Sequence, residues 1–272
     1  MDAEAIRFLL SSGGRAILDE LAAESLSPDT RLATATRLRR QLAPEMAAAA
    51  MEMALLRQRA TRKFSRADRM FFTRDGLEQA TAEPVAAHRA GRYAAAGISS
   101  VADLGCGIGG DALALAVAGA EVIAIDKEWA NVAPAQENAI AYDVGERVHP
   151  VLADLTELPA LPVDAFFFDP ARRTSTGPRL APGRRLHSAE EYRPPLSFID
   201  TWRPRVPDGA VKVGPGIDYA DLPVDAEAEF VSLDGDVREA VLWFGELRTG
   251  VARRATLLPG GHTLTDRDPE EL

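Results

Sequence analysis

The stretch VADLGCGIGGDALALAVAGAEVIAID, residues 101–126, decides the fold. It predicts a short apolar strand, a glycine-dense turn, a helix rich in alanine and leucine, and a second apolar strand that ends at Asp126. The glycines at 105, 107, 109 and 110 let the chain turn sharply and let a ligand approach the backbone. Because the following helix also presents unpaired amide groups, the pattern is typical of a nucleotide-cofactor site.

The glycine pattern alone does not identify which cofactor binds. Gly105, Gly107 and Gly110 fit the GxGxxG arrangement of dinucleotide sites, with an acid about 20 residues further on. Asp103 argues against a dinucleotide, because a carboxylate just before the glycines repels a pyrophosphate. S-adenosylmethionine (SAM) carries an ammonium and a sulfonium and has no phosphate, so it suits this acid better. Asp126 is then placed to accept hydrogen bonds from the ribose hydroxyls.

The segment DLGCGIGGD resembles the first motif of the class I SAM-dependent methyltransferases. Asp126 resembles their ribose-binding acid, while Asp154 and the pair Asp169 and Pro170 resemble their third and fourth motifs. The resemblance covers about residues 80–245. It implies a Rossmann-like, seven-stranded sheet that is mostly parallel and ends in an antiparallel hairpin. Two apolar segments around residues 234–236, with turn chemistry between them, agree with that hairpin.

Three shorter segments resemble a narrower group. Residues 61–73, 78–89 and 237–245 are similar to bacterial methyltransferases that carry a THUMP-like domain. The segment before the core is also similar to the RNA cap trimethylguanosine synthases. The resemblance implies a THUMP-like, substrate-capturing module after the polar segment that begins at Arg248, and the sequence stops short of it.

Composition limits the class of protein. The chain has 272 residues, 46% of them hydrophobic and 26% charged, enough for one large core and a smaller appendage. The single Cys106 excludes an intrachain disulfide and a cysteine-based zinc site. With no signal peptide and no run of 18 apolar residues, we expect a cytoplasmic enzyme without a membrane or metal partner. A net charge of −10 disfavours indiscriminate nucleic-acid binding, so any RNA contact requires a local basic face.

The chain divides into four predicted parts. Helical spacing of apolar residues predicts an all-helical N-terminal domain over residues 1–60. A basic connector and a helix follow over residues 61–96, then a SAM-binding core over residues 97–247. The polar residues 248–272 are predicted to be a linker-like tail.

The most basic tract of the chain, residues 57–74, overlaps the start of the connector. Arg62 and Lys63 with Phe71 and Phe72 form the mixture expected where phosphates are attracted and a base is stacked. The alternative is a solvated helix face followed by two core phenylalanines. The tract points to RNA as the partner, with these four residues as substrate contacts.

Further cofactor contacts are expected along both sides of the glycine turn. Asp154 is placed to accept the adenine amine beside an apolar wall at Leu155, although an aspartate there also suits a helix cap. The methionine end of the cofactor is assigned to Gln79 and Thr81. The full predicted cofactor set is Gln79, Thr81, Asp103, Gly105, Gly107, Gly109, Asp126, Lys127, Asp154, Leu155 and Asp169.

The predicted catalytic pair is Asp169 and Pro170. Residues 163–168 are apolar throughout, as in a central parallel strand, so the strand delivers Asp169 into the ligand crevice. The resembling amino-methylating enzymes have a second proline and an aromatic residue next, where this chain has Ala171 and Arg172. Arg172 and Arg173 therefore suggest an anionic substrate group, unless both face solvent. Residues 174–195 are predicted to form a loop over the site.

These observations predict a SAM-dependent methyltransferase that acts on a base in RNA. Two alternatives stay open, namely a small-molecule methyltransferase and a SAM-binding protein without catalysis. An NAD oxidoreductase is disfavoured by Asp103 and by the C-terminal hairpin.

Overall fold

The computed structural model describes residues 1–24, 26–172 and 192–269. The helices are α1 (Ala3–Leu10), α2 (Ser12–Ala22), α3 (Arg31–Leu38), α4 (Pro44–Ala60), α5 (Arg74–Gln79), α6 (Glu83–Ala95), α7 (Gly110–Val117) and α8 (Trp129–Ala141). The strands are β1 (Ser100–Leu104), β2 (Glu121–Asp126), β3 (Val148–Leu152), β4 (Ala165–Phe168), β5 (Ala171–Arg172), β6 (Tyr192–Arg193), β7 (Asp208–Val213), β8 (Glu227–Leu233), β9 (Asp236–Phe244), β10 (Arg253–Leu258) and β11 (His262–Thr265).

Within the described residues, nine strands form one sheet in the order β3-β2-β1-β4-β7-β9-β8-β10-β11. Strands β3, β2, β1, β4 and β7 are parallel, whereas β9 runs antiparallel to both β7 and β8. The strand order reverses next to β1, which places a ligand crevice at the carboxyl ends of β1, β2 and β4. The prediction of a mostly parallel α/β sheet with antiparallel strands near its C-terminal edge is confirmed.

Nine strands replace the predicted seven, because residues after 248 extend the sheet. Strand β10 pairs in parallel with β8, and β11 pairs antiparallel with β10. The prediction of a linker-like tail is therefore wrong. Its polar composition reflects an exposed edge strand, β11, while Thr256 of β10 is only 1% exposed.

Two buried glutamates of β8 attach this C-terminal extension to α6. Glu227 accepts the Thr249 N–H at 2.6 Å and an ion pair from Arg92 at 2.7 Å. Glu229 accepts hydrogen bonds from Thr256 at 2.5 Å and from the Trp243 indole at 2.9 Å. The extension thus belongs to the packed fold.

The N-terminal helices pack on one another and against α5 and α8. Leu9, Leu18 and Met53 are at most 2% exposed. They lie in the same hydrophobic cluster as Val101 of β1 and Leu113 of α7. Burial of this shared apolar surface holds α1 to α4 against the rest of the protein. These helices therefore have no hydrophobic core separate from that of the sheet.

Candidate active site

Three glycines after β1 have left-handed backbones, with φ of 88° at Gly105, 54° at Gly107 and 89° at Gly109. A Cβ at Gly105 would lie 3.1 Å from the Asp169 carbonyl oxygen, and one at Gly109 would lie 3.3 Å from Ala135. A Cβ at Gly107 would meet no heavy atom within 4 Å. Gly105 and Gly109 therefore allow close packing, whereas Gly107 borders open space that a ligand can enter.

The tip of β2 is tied to this turn. Asp126 accepts hydrogen bonds from the Gly107 N–H at 3.0 Å, from the Glu128 N–H at 2.8 Å and from the Asn131 amide at 3.2 Å. Carboxylate oxygens accept about four hydrogen bonds in total, so the side chain retains capacity for a ligand hydroxyl. Lys127, the next residue, is exposed.

Asp103 of β1 is a buried acid with an unused oxygen. It is 1% exposed, and its Oδ2 has no hydrogen-bond partner among the described residues. Burial, followed by the negative charge of Asp169, raises the pKa of Asp103 to about 7, while Arg89 opposes the shift. A buried, unpaired carboxylate oxygen beside the glycine turn fits a cofactor that carries positive charge.

Asp169 directly follows β4 and meets a lysine from the neighbouring strand β7. Nζ of Lys212 lies 2.6 Å from Oδ2 of Asp169 and 3.1 Å from the hydroxyl of Thr81. The predicted catalytic Pro170 is buried next to this pair. Sequence reasoning missed Lys212, although one lysine inside the apolar run AVKV, residues 210–213, was a usable signal.

Through Thr81, Lys212 is linked to a chain of buried polar groups on α7, α6 and β9. The Thr81 hydroxyl donates to Asp111 of α7 at 2.9 Å, and Asp111 forms an ion pair with Arg89 of α6. Arg89 also pairs with Glu239 of β9, and its side chain is 2% exposed. Thr81, predicted to contact the cofactor, is thus used within the protein. Arg89 joins the elements around the site, a role the sequence did not reveal.

Gln79, Asp154 and Leu155 are the other predicted cofactor contacts. Gln79 is exposed at the end of α5. Asp154 receives the Thr156 N–H at 2.9 Å and the Thr156 hydroxyl at 2.7 Å, both on Oδ1, so it caps a short turn. Leu155 is 7% exposed. A contact between Asp154 and adenine remains a prediction alongside the observed cap.

Phe71 and Phe72 are core residues, so the prediction that they stack on a base is wrong. They are 2% and 0% exposed. The Phe71 ring has the Arg57 guanidinium 5.1 Å from its centroid and that of Arg15 at 5.2 Å. Its N–H donates to the buried Asn138 side chain at 2.7 Å. Neither ring is free to receive a base.

Lys63 also has a structural role that contradicts its predicted contact with phosphate. Its ammonium donates to the carbonyl oxygens of Leu77 at 2.8 Å, Glu78 at 3.1 Å and Ala80 at 2.8 Å. These bonds hold the connection between α5 and α6 in place. Arg62, by contrast, is exposed.

The arginines after the catalytic pair are only partly described. Ala171 and Arg172 form β5, which pairs with Arg193 and Tyr192 of β6. Arg173 and most of the predicted loop over residues 174–195 lie outside the described residues. The proposed contacts of Arg172 and Arg173 with an anionic substrate therefore stay predictions.

Two further properties concern the described part of the chain. It contains no group of three or more His, Cys, Asp or Glu residues arranged to hold a metal ion. None of its helices combines the length and the apolar character needed to cross a membrane.

The sheet order, the glycine turn and the acids at the tips of β1, β2 and β4 define a class I methyltransferase fold. The crystal structure of a candidate methyltransferase from Porphyromonas gingivalis W83 shares this fold with a TM-score of 0.66. It is 22% identical and covers 86% of this chain, which in turn covers 58% of that protein.

Sequence comparison agrees with the fold. Residues 98–181 match the family described as RNA cap guanine-N2 methyltransferase, and residues 2–60 match a domain of unknown function. Uncharacterised SAM-dependent methyltransferases from two Mycobacterium tuberculosis strains are 33% identical over 238 residues, which is 81% of this chain. The chain spans 61% of the length of these relatives. In sequence and in fold the chain is thus similar to SAM-dependent methyltransferases.

Proposed function

We propose that this chain transfers a methyl group from SAM to a base in RNA. The observation that carries the cofactor assignment is the buried Asp103 carboxylate, whose Oδ2 has no partner in the described residues. It lies in the strand that leads into the open turn at Gly107, so a sulfonium or ammonium in the crevice would satisfy it. In this proposal residues 97–247 bind the cofactor, with Asp126 on the ribose and Asp154 and Leu155 near the adenine.

Asp169 is the proposed catalytic residue. SAM, when bound, supplies a methyl carbon activated by sulfonium, so positioning provides most of what the protein must add. Asp169 accepts a hydrogen bond from the attacking amine and holds its lone pair in line with the methyl carbon. A bond from nitrogen to carbon forms as the carbon–sulfur bond breaks, leaving a neutral thioether, and the surplus amine proton passes through Asp169 to water.

A cationic groove next to the site supports RNA as the substrate. The groove has a volume of about 670 Å³, and its charged lining residues are Arg31, Glu52, Arg59, Arg62, Lys63, Arg74 and Glu78. Within this lining, Arg59 pairs with Glu78 and Arg74 with Glu52. Lys63 is held by backbone carbonyl oxygens. The exposed Arg31 and Arg62 therefore supply the positive charge available to a ligand, on a chain of net charge −10. Such a surface attracts a phosphate backbone.

The groove is linked to the candidate active site through two neighbouring residues of the connector. Lys63 in its lining contacts the carbonyl oxygen of Ala80, and the next residue, Thr81, contacts Lys212 beside Asp169. We propose that a strand held in the groove presents a base to Asp169. The match of residues 98–181 to the RNA cap guanine-N2 methyltransferase family supports the same substrate class. The THUMP-like module implied by the sequence resemblance remains part of the proposal as a second RNA contact.

The test is methyl transfer from radiolabelled SAM to separated pools of RNA, protein and metabolites. We expect label in RNA, loss of more than 100-fold in turnover for Asp169→Ala, and SAM affinity within about tenfold, or 1.4 kcal/mol. Asp29→Ala, which removes an exposed carboxylate, is the matched control. Label only in metabolites would indicate the small-molecule alternative. SAM binding without label in any pool would indicate a SAM-binding protein without catalysis.

A further inference from the structure

We propose that Lys212 is a positioning residue of the methyl-transfer site, which fixes the Asp169 carboxylate and balances the negative charge around the methyl donor. This inference rests on the proposed function. Its geometric basis is the pair of contacts from Nζ to Asp169 at 2.6 Å and to Thr81 at 3.1 Å.

The setting of Lys212 is unusual for a lysine. It lies in β7, whose neighbouring residues Ala210, Val211 and Val213 are at most 1% exposed, and its own side chain is only 13% exposed. Burying an ammonium is costly unless its donors are satisfied by hydrogen bonds and by an opposite charge. Asp169 and Thr81 supply both, so the position is built around this contact.

Thr81 and the buried polar groups beyond it hold the ammonium of Lys212 in place. The Thr81 hydroxyl donates to Asp111, which leaves its oxygen lone pairs to accept from Lys212. Asp111 is fixed in turn by Arg89, which also pairs with Glu239. Because elements α6, α7 and β9 all contribute, the ammonium is positioned before any ligand arrives, which is how electrostatic groups act in catalysis.

In this proposal the two oxygens of the Asp169 carboxylate bind different groups. Lys212 occupies Oδ2. We assign Oδ1 to the attacking amine of the substrate. If Oδ2 lost its partner, the carboxylate would be free to rotate, and the amine lone pair would lose its alignment with the methyl carbon.

The same ammonium offsets the acids around the methyl donor. The charges that act on Asp103 are those of Asp169, Arg89 of α6, Asp126 of β2 and Lys212, and the Lys212 charge also acts on Lys63 of the connector. Lys212 is one of the groups that hold down the pKa of Asp103, which burial and Asp169 raise to about 7. Removal of Lys212 should therefore move the protonation of Asp103, and with it the pH dependence of SAM binding, to higher pH.

The experiment compares Lys212→Met and Lys212→Arg with Arg205→Met, a control that removes an exposed cation just before β7. We expect Lys212→Met to lower kcat at least tenfold while KM for RNA changes less than threefold, and Lys212→Arg to restore most of the rate. Calorimetry from pH 5.5 to 8.5 should show the pH midpoint for SAM binding shifted upward in Lys212→Met, with a smaller shift for the neutral product S-adenosylhomocysteine.

Two outcomes would overturn the inference. One is a wild-type kcat and binding profile in Lys212→Met. The other is equal loss of kcat, affinity and thermal stability without rescue by arginine, which would make the lysine purely structural. If Lys212→Met does not fold, Lys212→Gln replaces it, since glutamine keeps a donor without the charge. The binding profile is read without turnover, so absence of methyl transfer in the wild type would refute the proposed function while Lys212 is still tested.

Discussion

The backbone N–H of Gly107 lies 3.0 Å from Oδ2 of Asp126, and this hydrogen bond ties the glycine turn to the tip of β2. Each residue depends on the other. The N–H of Gly107 orients the Asp126 carboxylate. The carboxylate in turn holds Gly107 in its left-handed conformation, with φ of 54°. The space beside Gly107 is open. The result is a preformed cradle.

Gly107→Ala should block this cradle without unfolding the protein. The alanine keeps the N–H that Asp126 accepts, but its Cβ enters the open space and its left-handed backbone costs about 1–2 kcal/mol. We expect at least a tenfold loss of S-adenosylhomocysteine affinity by calorimetry. Gly97→Ala is the matched control, because Gly97 also has positive φ, 74°, and open space, but lies before β1. Equal affinity in the two variants would contradict the assignment of the cradle.

Asp103 should make the ligand-free protein less stable as pH rises. Its pKa is raised to about 7 by burial, so its stabilising contribution is complete below the unfolded value of 3.8 and is lost as pH rises through 7. Glu229 does not titrate in this window, because hydrogen bonds from His88 and Thr256 outweigh its burial and lower its pKa to about 2.

Asp103→Asn tests this expectation, since an amide imitates the protonated acid. Urea unfolding between pH 4.5 and 7.5 should show the wild type losing at least about 1.4 kcal/mol relative to the variant, the equivalent of one pKa unit. Parallel stability curves for the two proteins would show that Asp103 keeps the same charge throughout this range.

Local features of the fold were predictable from the sequence. The glycine turn is encoded within a few residues, and so is the hairpin between β8 and β9, whose Asp234 and Gly235 adopt φ of 54° and 85°. Both depend on backbone preferences that a short segment expresses by itself.

The features that were missed depend on distant partners. Lys212 and Asp169 are 43 residues apart, and Phe71 is fixed by Asn138 from 67 residues away. An aromatic residue in a basic tract suits a buried core as well as a base stack, and only the packing of α8 distinguishes them. Likewise, β10 is recognisable as a strand only beside β8, whose buried glutamates require its hydroxyl and guanidinium groups.

Thr256→Val measures how firmly the C-terminal extension is attached. The substitution removes the hydroxyl that donates to Glu229 at 2.5 Å, and we expect a loss of about 1–3 kcal/mol because the acceptor is a buried, charged group. Thr263→Val is the control, since Thr263 faces Thr256 across the β10–β11 pair but is exposed. Urea unfolding measures both. Equal stabilities would mean that the extension contributes little to the fold.

Charge reversal in the groove distinguishes an RNA-binding surface from a solvated face. Arg31 and Arg62 line the groove. Arg69 belongs, like Arg62, to the basic tract of residues 57–74, but it lies outside the groove lining. All three side chains are exposed. For each phosphate contact removed, the slope of log affinity against log salt should fall by about 0.7 for single-stranded RNA. We therefore expect Arg31→Glu with Arg62→Glu to weaken RNA binding at least tenfold and to flatten the slope, as measured by fluorescence anisotropy from 50 to 300 mM salt.

Arg69→Glu should leave both quantities near wild type, because long-range repulsion alone is screened at the upper salt concentrations. Equal effects of the two charge reversals would assign RNA attraction to general charge and remove the groove from the proposed path to Asp169.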